Sequence, residues 1–246
     1  MNVVFPSAVV FKRCVDAIAV LVDEAELEIV KEGFKLKATD PSQISMVDFE
    51  MPAEAFESFK IDEAKKIGID FNYFSQIMSR AKTTDKLSLE IVDNALKISF
   101  IGNAKRSFSM PLIDISASEL PNPKIEFTAK LALAAHVLHD ALKDATLVSS
   151  HIILEANKEG FFIRANSTRG VLNVEVAKDS EDMKEFDVKE DARAMFPLDY
   201  LSDMMKSAKG TDIIELQLRT DAPVELSYNI DKAKVKYFLA PRIESE

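Results

Sequence analysis

The sequence is poor in the residues that carry metal or covalent chemistry. Among its 246 residues there are one cysteine, three histidines and no tryptophan. The single cysteine, Cys14, rules out an intrachain disulfide, and its apolar-periodic surroundings indicate a buried side chain, not a nucleophile. We find no glycine-rich phosphate loop, no cysteine–histidine metal spacing and no nucleophile elbow. We therefore expect no catalytic residues, no cofactor and no metal, with an enzyme as the weaker alternative.

Long apolar runs are also missing. No stretch approaches the roughly 20 apolar residues that a transmembrane helix needs. The first six residues, Met1–Pro6, lack the basic start and long apolar core of a signal peptide. We expect a soluble protein of a reducing, cytoplasmic compartment, without a membrane partner.

Positive charge is in deficit. The chain has 31 lysines and arginines against 41 aspartates and glutamates, for a formal net charge of −10. Taken alone, this balance argues against a nucleic-acid-binding protein. Total charge, however, does not describe how charge is distributed over a surface.

The chain does contain an internal repeat. The tetrapeptide Lys-Glu-Gly-Phe occurs at Lys31–Phe34 and again 127 residues later at Lys158–Phe161. A second set of residues recurs with the same offset: Tyr73, Ser75, Met78, Ala81, Lys82, Thr84, Asp85 and Leu89 return as Tyr200, Ser202, Met205, Ala208, Lys209, Thr211, Asp212 and Leu216. One shared offset for two distant sets indicates a duplicated domain. Two generic hairpins that happen to coincide are the alternative.

A connector near the midpoint separates the two copies. Residues 114–126 contain two prolines, two serines and an asparagine, and they show no helical apolar period. We predict an N-terminal domain at residues 1–113, a connecting loop at 114–126 and a C-terminal domain at 127–246.

Each half is predicted to contain two amphipathic helices and many short strands. The apolar spacing places the helices at residues 8–22, 72–81, 133–142 and 198–208. Residues 53–59 are predicted as an extended or short helical link, and residues 178–187 as an acidic, exposed loop. The pattern is typical of an α+β fold with both helices of each copy packed on one face of antiparallel sheets.

Basic residues concentrate on the predicted helices or at their ends, whereas acids concentrate in loops and strands. The helical set is Lys12, Arg13, Arg80, Lys82, Lys143, Lys206 and Lys209. Such a distribution indicates a polyanionic partner that meets only the helical face. An ordinary solvated helix surface is the alternative.

The C-terminal residues Lys236–Glu244, Lys-Tyr-Phe-Leu-Ala-Pro-Arg-Ile-Glu, resemble the terminal signature of the DNA sliding clamps of the proliferating cell nuclear antigen family, in its archaeal form. Leu112–Asp114, Ala38–Ser42 and Leu198–Leu201 also look like that family. The resemblance covers the whole chain. It implies a DNA clamp fold and a homotrimeric ring, in which twelve helices surround a hole for double-stranded DNA without base-specific contact.

The resemblance also implies the protein's partners. A clamp tethers DNA polymerase as a processivity factor, and it meets the clamp loader, flap nuclease and ligase through short peptide motifs in the archaeal cytoplasm, near the nucleoid. A specialised subunit of a heterotrimeric or checkpoint-type clamp is the alternative.

Three groups of site residues follow from the resemblance. The DNA-facing group adds His136 and His139 to the basic helical set; family members often have arginine there, and a metal pair is the weaker alternative because no third ligand is visible. The partner-peptide groove comprises Gln43, Ile44, Met46, Leu120, Pro121, Pro123, Phe127, Pro223, Tyr237, Phe238, Leu239, Ala240 and Pro241. The subunit interface comprises Arg80, Lys82, Lys105, Arg106, Phe108, Met110, Asp140, Asp144, Val171, Leu172, Val174 and Val176.

Within that interface, strand 105–110 of one subunit is expected to pair with strand 171–176 of the next. Head-to-tail pairing of two different surfaces closes a ring when the rotation permits. We further hypothesise that Arg80, Lys82 and Arg106 form ion pairs with Asp140 and Asp144 of the neighbouring subunit.

Overall fold

The computed structural model describes residues 1–115, 120 and 123–242. The chain divides into two compact units. The first comprises residues 1–41, 47–121 and 229–235, and the second comprises residues 42–46, 122–228 and 236–246.

The first half of the chain contains two helices and nine strands. In chain order these are β1 (Asn2–Phe5), α1 (Ala8–Ala19), β2 (Glu24–Val30), β3 (Gly33–Thr39), β4 (Ser45–Pro52), β5 (Ser58–Lys60), β6 (Lys65–Asp70), α2 (Phe71–Met78), β7 (Lys86–Val92), β8 (Ala95–Ile101) and β9 (Lys105–Pro111). A 3₁₀ turn covers Ala53–Ala55. One sheet has the order β5-β1-β7-β8-β9, and β4-β3-β2-β6 are neighbours in another.

The second half repeats this order. Its elements are β10 (Ala129–Ala134), α3 (Ala135–Ala145), β11 (His151–Asn157), β12 (Gly160–Ser167), β13 (Gly170–Ala177), β14 (Met183–Val188), β15 (Ala192–Pro197), α4 (Leu198–Met205), β16 (Ile213–Leu218), β17 (Val224–Ile230) and β18 (Ala233–Leu239). One sheet has the order β13-β12-β11-β15, and β14-β10-β16-β17-β18 are neighbours in another. The predicted α+β fold with two tandem similar domains is confirmed.

The repeated Lys-Glu-Gly-Phe sequence forms the same hairpin in both halves. Gly33 follows the turn between β2 and β3 with a φ of +141°, and a β-carbon there would lie 2.0 Å from the Met51 carbonyl oxygen. At Gly160, between β11 and β12, it would lie 2.5 Å from the Val176 carbonyl oxygen. Glycine is therefore required at both turns by the close approach of the next strand's backbone.

Each unit has its own apolar core beneath its helices. In the first unit, Phe11 of α1 lies 5.4 Å from Phe5 and 6.2 Å from Phe74 of α2 between ring centroids. In the second unit, Leu138 of α3 and Leu201 of α4 are fully buried. Burial of side chains of this size contributes roughly 1.5–3 kcal/mol each to folding. These apolar stripes hold the helices on the sheets and leave the opposite helix faces exposed.

Two edge strands were not predicted as strands. Most of β14, Met183–Val188, falls in the loop predicted at residues 178–187; it pairs antiparallel with β10, with a bulge at Ala132/Leu133. The extended or short helical link predicted at residues 53–59 holds the 3₁₀ turn and the start of β5, whose pairing with β1 was not predicted. Both strands lie at a sheet edge and are held by main-chain pairing, so their side chains carry little apolar pattern.

None of the helices in the described ranges is long and apolar enough to cross a membrane. Residues 116–119, 121–122 and 243–246 are not described, so the groove residue Pro121 and part of the predicted connector and C-terminal signature lie outside the description.

Candidate DNA, subunit and partner surfaces

The helical surface of the first unit carries four of the predicted DNA-facing cations. Lys12 and Arg13 are half-buried on α1, and Lys12 forms an i, i+4 ion pair with Asp16. Asp16 also accepts a hydrogen bond of 2.7 Å from the Ser75 hydroxyl, which ties α1 to α2. Arg80 and Lys82 are exposed just after α2. The charge of Lys12 is thus partly compensated, whereas Arg80 and Lys82 form no ion pair with the described residues.

The helical surface of the second unit has more carboxylates. Lys143 on α3 is exposed beside Asp140 and Asp144. After α4, Lys206 forms an ion pair of 2.6 Å with Asp203, and Lys209 is exposed. The surplus of positive charge is therefore smaller here than in the first unit.

The two predicted channel histidines have separate partners. His136 lies 3.5 Å from a carboxylate oxygen of Asp182, and Nε2 of His139 lies 3.1 Å from the main-chain oxygen of Ala208. No group of three metal-binding side chains occurs in the part of the chain that the structure describes.

Both strands that we expect at the subunit interface are edge strands. β9 lies at one end of the sheet β5-β1-β7-β8-β9, and β13 lies at one end of the sheet β13-β12-β11-β15. Along both strands, exposed and less exposed residues alternate. Each strand therefore has one row of main-chain groups without a partner in its own sheet, which can pair with another strand.

Two interface residues point into the core. Met110 on β9 is 1% exposed and Val176 on β13 is 6% exposed. Their side chains are buried in the core and are not available for contact with another subunit. Arg106, Phe108, Leu172 and Val174 are half-buried, and Lys105 and Val171 are exposed.

Arg106 already has a partner within its own unit. Its guanidinium pairs with the carboxylate of Asp85, which is buried, and donates a hydrogen bond of 2.9 Å to the Arg80 carbonyl oxygen. It also lies 5.1 Å from the centroid of the Phe100 ring. Arg106 is therefore already engaged within its own unit, and its ion pair with Asp140 or Asp144 of a neighbour stays a prediction. Asp140 and Asp144 themselves are exposed.

The predicted groove residues divide into an outer and an inner set. Gln43 is exposed with a φ of +57°, and the Ile44 carbonyl accepts a hydrogen bond of 2.8 Å from the amide of Ala240. The accessible members are Gln43, Ile44, Leu120, Pro123, Phe127, Pro223, Ala240 and Pro241. Met46, Tyr237, Phe238 and Leu239 are buried, so their side chains are not accessible for contact with a partner. The Tyr237 hydroxyl lies 3.3 Å from that of Tyr228.

Comparison with known families identifies the chain. The model of the proliferating cell nuclear antigen N-terminal domain matches residues 1–119, and that of its C-terminal domain matches residues 122–243. This chain belongs to the proliferating cell nuclear antigen family. The family resemblance that the C-terminal signature indicated is thereby confirmed for both halves of the chain.

Curated members of the family are similar along their full length. The chain is 40% identical to DNA polymerase sliding clamp 1 of Pyrobaculum aerophilum over 95% of both chains, and 37% identical to the sliding clamp of Thermofilum pendens over 98% of both.

Solved clamp structures share the fold. The proliferating cell nuclear antigen of A. fulgidus, solved with the C-terminal region of FEN-1 bound, has a TM-score of 0.91 at 33% identity and covers 100% of this chain and 99% of its own. The PCNA2–PCNA3 complex of Sulfolobus tokodaii has a TM-score of 0.91 at 26% identity, covering 99% of this chain and 100% of its own.

Sequence reasoning overlooked one exposed apolar residue near the predicted interface. Leu147, which follows α3, is 75% exposed, more than any other large apolar residue among those described. Val171, which we had included, is 64% exposed. Leu147 lies beyond the helix predicted at residues 133–142, so apolar periodicity assigned it no role; its exposure in the structure distinguishes it from the core residues.

Proposed function

We propose that this chain is a DNA sliding clamp that encircles double-stranded DNA as a ring and tethers DNA polymerase and other replication and repair enzymes. It is a scaffold and performs no catalysis. One observation carries the proposal: the same fold occurs twice, and each copy has two helices with cations on them or just after them and an adjoining sheet that ends in an open edge. Three such chains supply the twelve helices and three matched pairs of edges that a ring needs.

The helical surfaces contact DNA through charge alone. Arg80, Lys82, Lys143 and Lys209 are exposed and form no ion pair with the described residues. Lysine and arginine bind phosphate oxygens without reading base sequence. A duplex held in this way slides, because no contact depends on position along the helix. The net charge of −10 disfavours DNA on the remaining surface.

The direct test of this function is topological. The chain is loaded by its clamp loader onto nicked circular DNA and the complex is isolated by gel filtration. We expect the clamp to remain bound at moderate salt and to leave within minutes once the circle is linearised, because it then slides off the end. The control is the same linear DNA with both ends blocked by a bound protein, which should retain the clamp. Equal retention on circular and unblocked linear DNA would contradict encirclement.

The ring closes by antiparallel pairing of β9 with β13 of the next subunit, with Leu147 and Val171 contributing apolar contact. These two side chains are unusually exposed in the single chain, and exposed apolar groups beside an open strand edge indicate a protein interface.

Charged residues at these positions should abolish assembly. We expect Leu147→Glu with Val171→Glu to convert the assembled species into a monomer at micromolar concentration, since two charges would be buried without partners. The control is Val92→Glu, at an apolar residue 42% exposed in the β7–β8 hairpin. An assembled double variant would place the interface elsewhere.

Partner proteins dock through short peptide motifs on the accessible groove residues. A relative that is 33% identical was solved with the C-terminal region of FEN-1 bound, which supports peptide docking here. Apolar anchors in such grooves supply most of the affinity.

We expect Ile44→Ala with Pro241→Ala to weaken binding of a flap-nuclease C-terminal peptide about tenfold while assembly is unchanged. The matched control is Pro6→Ala, an exposed proline in the first unit. Calorimetric titration measures both, and unchanged affinity in the double variant would remove the groove assignment. We avoid Leu239→Ala because that side chain is buried and its loss would affect folding.

A heterotrimeric or checkpoint-type clamp is the second candidate. The Sulfolobus tokodaii relative is a complex of two different clamp chains, PCNA2 and PCNA3. This alternative keeps the fold, the edges and the groove, and it differs in whether the purified chain assembles by itself.

A further inference from the structure

One face of the sheet β13-β12-β11-β15 is polar, in contrast to the other. Ile152, Leu154 and Ile163 are fully buried on the inner face. On the opposite face, Arg164 and Met195 lie on either side of Ile153, and Arg193 lies opposite Glu155. Directly opposed residues in antiparallel strands share a face, so these arginines and His151 project to the same side.

A cavity of about 410 Å³ lies on this outer face. Its polar lining consists of Ser149, His151, Arg164, Asn166, Ser167 and Arg193, and no carboxylate is among the described residues that line it. A water molecule occupies roughly 30 Å³, so the cavity has room for a tetrahedral oxyanion together with several waters. A donor-rich cavity without acids is unexpected on a protein whose net charge is −10.

The two arginines are placed as anion ligands. Arg193 is exposed and forms no ion pair with the described residues. Arg164 lies over the Phe162 ring at 5.4 Å, which fixes the plane of its guanidinium. Its Nε is buried without a hydrogen bond and stands 3.6 Å from a carboxylate oxygen of Glu155. Glu155 offsets one positive charge, which leaves the charge of Arg193 available to a ligand.

Arg242 adds a positive charge next to His151, which lines the cavity. A guanidinium nitrogen of Arg242 lies 2.7 Å from Nε2 of His151, which requires that ring nitrogen to accept the hydrogen bond. The Arg242 amide donates a hydrogen bond of 2.7 Å to the Met195 carbonyl, so its backbone is fixed. Burial and then the charge of Arg242 lower the pKa of His151, against an opposing effect of Asp199. A bound anion would raise the pKa of His151.

The neighbouring cavity provides an internal contrast. It is larger, about 700 Å³, and shares Ser149 and His151 with the first. Its lining has one arginine, Arg169, against two carboxylates, Asp199 and Asp203. The smaller cavity has two arginines and no carboxylate in its lining, so the charge balance favours anion binding there.

We propose that the cavity between Arg164 and Arg193 on the outer face of β11, β12 and β15 binds a phosphate dianion. The arginines supply charge-assisted hydrogen bonds, and Ser149 and Asn166 supply neutral donors. Free phosphate and a phosphorylated side chain share this chemistry. The site does not depend on the DNA-encircling function.

Histidine NMR of the assembled full chain tests the proposal, because the protein has only three histidines. Inorganic phosphate is titrated at constant ionic strength against chloride. We expect saturable shifts and a raised pKa for His151, with no change at His136 or His139. Arg193→Gln should weaken phosphate binding at least tenfold, whereas the matched control Arg219→Gln, also exposed and in the same unit, should weaken it less than twofold.

Two further titrations identify the source of the phosphate. Tighter binding of a phosphoserine tripeptide than of inorganic phosphate would assign the site to a modified side chain, and the reverse order would assign it to the free ion; either result supports the site. Linear shifts that Arg193→Gln leaves unchanged would overturn the proposal. It would also be overturned if a duplex oligonucleotide, but not phosphate, shifted His151.

Discussion

The two units share a backbone plan down to individual hydrogen bonds. The Ala8 amide donates to the Asp85 carbonyl oxygen at 2.8 Å, and 127 residues later the Ala135 amide donates to that of Asp212 at 2.9 Å. Likewise, the Lys82 amide donates to the Asp85 carboxylate at 2.9 Å, and the Lys209 amide donates to that of Asp212 at 2.7 Å.

Side chains elsewhere differ between the units. Ser7 caps α1 by accepting a hydrogen bond from the Val10 amide, and Asp70 caps α2 by accepting one from the Tyr73 amide. The equivalent residues, Ala134 and Pro197, provide no side-chain cap for α3 or α4. Arg106 neutralises the buried Asp85 in the first unit.

The comparison shows which features a duplicated fold must keep. Main-chain bonds and the apolar stripes are retained, because every element depends on them. Caps and ion pairs each contribute only about 1 kcal/mol or somewhat more, so they can diverge separately in the two copies. The first unit has the side-chain helix caps and the larger surplus of helical positive charge.

The largest expected effect is on the free energy of unfolding, and it comes from the Arg106–Asp85 ion pair. Arg106→Ala should lower the free energy of unfolding by about 2–3 kcal/mol, since it leaves the buried Asp85 carboxylate without its cation. Lys105→Ala, at an exposed neighbour on the same strand, is the control and should cost less than about 0.5 kcal/mol. Urea unfolding measures both, with the oligomeric mass checked in parallel. Equal losses would mean that the pair is not a stabilising feature of the first unit.

DNA binding should depend more on the first unit than on the second. Arg80→Gln with Lys82→Gln should reduce affinity for duplex DNA about tenfold at low salt and flatten its salt dependence. Lys206→Gln with Lys209→Gln should reduce it about threefold, because Asp203 already compensates Lys206. Fluorescence anisotropy with a duplex oligonucleotide at several salt concentrations measures both, and a larger loss in the second unit would reverse the comparison.

Adding positive charge to the second unit should reduce the difference between the two units in their contribution to DNA binding. His136→Arg with His139→Arg is expected to strengthen duplex binding about threefold, since it adds cations to α3. The same anisotropy assay applies. Asn94→Arg, at an exposed turn residue between β7 and β8, adds positive charge outside the helices and serves as the control; an equal gain there would indicate a response to total charge alone.

The smallest expected effect concerns helix capping. Asp70→Ala should destabilise α2 by about 1 kcal/mol, because the Tyr73 amide loses its acceptor. Hydrogen exchange of the α2 amides measures the change, with Asp179→Ala, an exposed acid in the second unit, as control. Unchanged exchange in α2 would show that the cap contributes nothing.

Much of the fold could be predicted from the sequence, because apolar periodicity and the 127-residue offset are strong signals. The four helices and the hairpin glycines follow from them. Both missed strands, β5 and β14, are equivalent members of the repeat: each is an edge strand that pairs with the first strand of its half. These strands are held by main-chain hydrogen bonds, which the pattern of apolar and polar residues in a sequence does not reveal.

The site residues were less predictable. Sequence reasoning selected the two edge strands, but it did not show that Met110 and Val176 face inward or that Arg106 is engaged by Asp85. These outcomes depend on the direction of side chains and on contacts between residues far apart in the chain. The cavity beside Arg164 gave no signal at all, since its lining comes from β11, β12, β15 and the loop before β11.

Native mass spectrometry of the purified chain at micromolar concentration tests most directly whether one chain closes the ring by itself. We expect a single species of three copies of the 27.5 kDa chain. A stable monomer under the same conditions would contradict the self-assembled ring and favour a clamp that closes only with non-identical subunits.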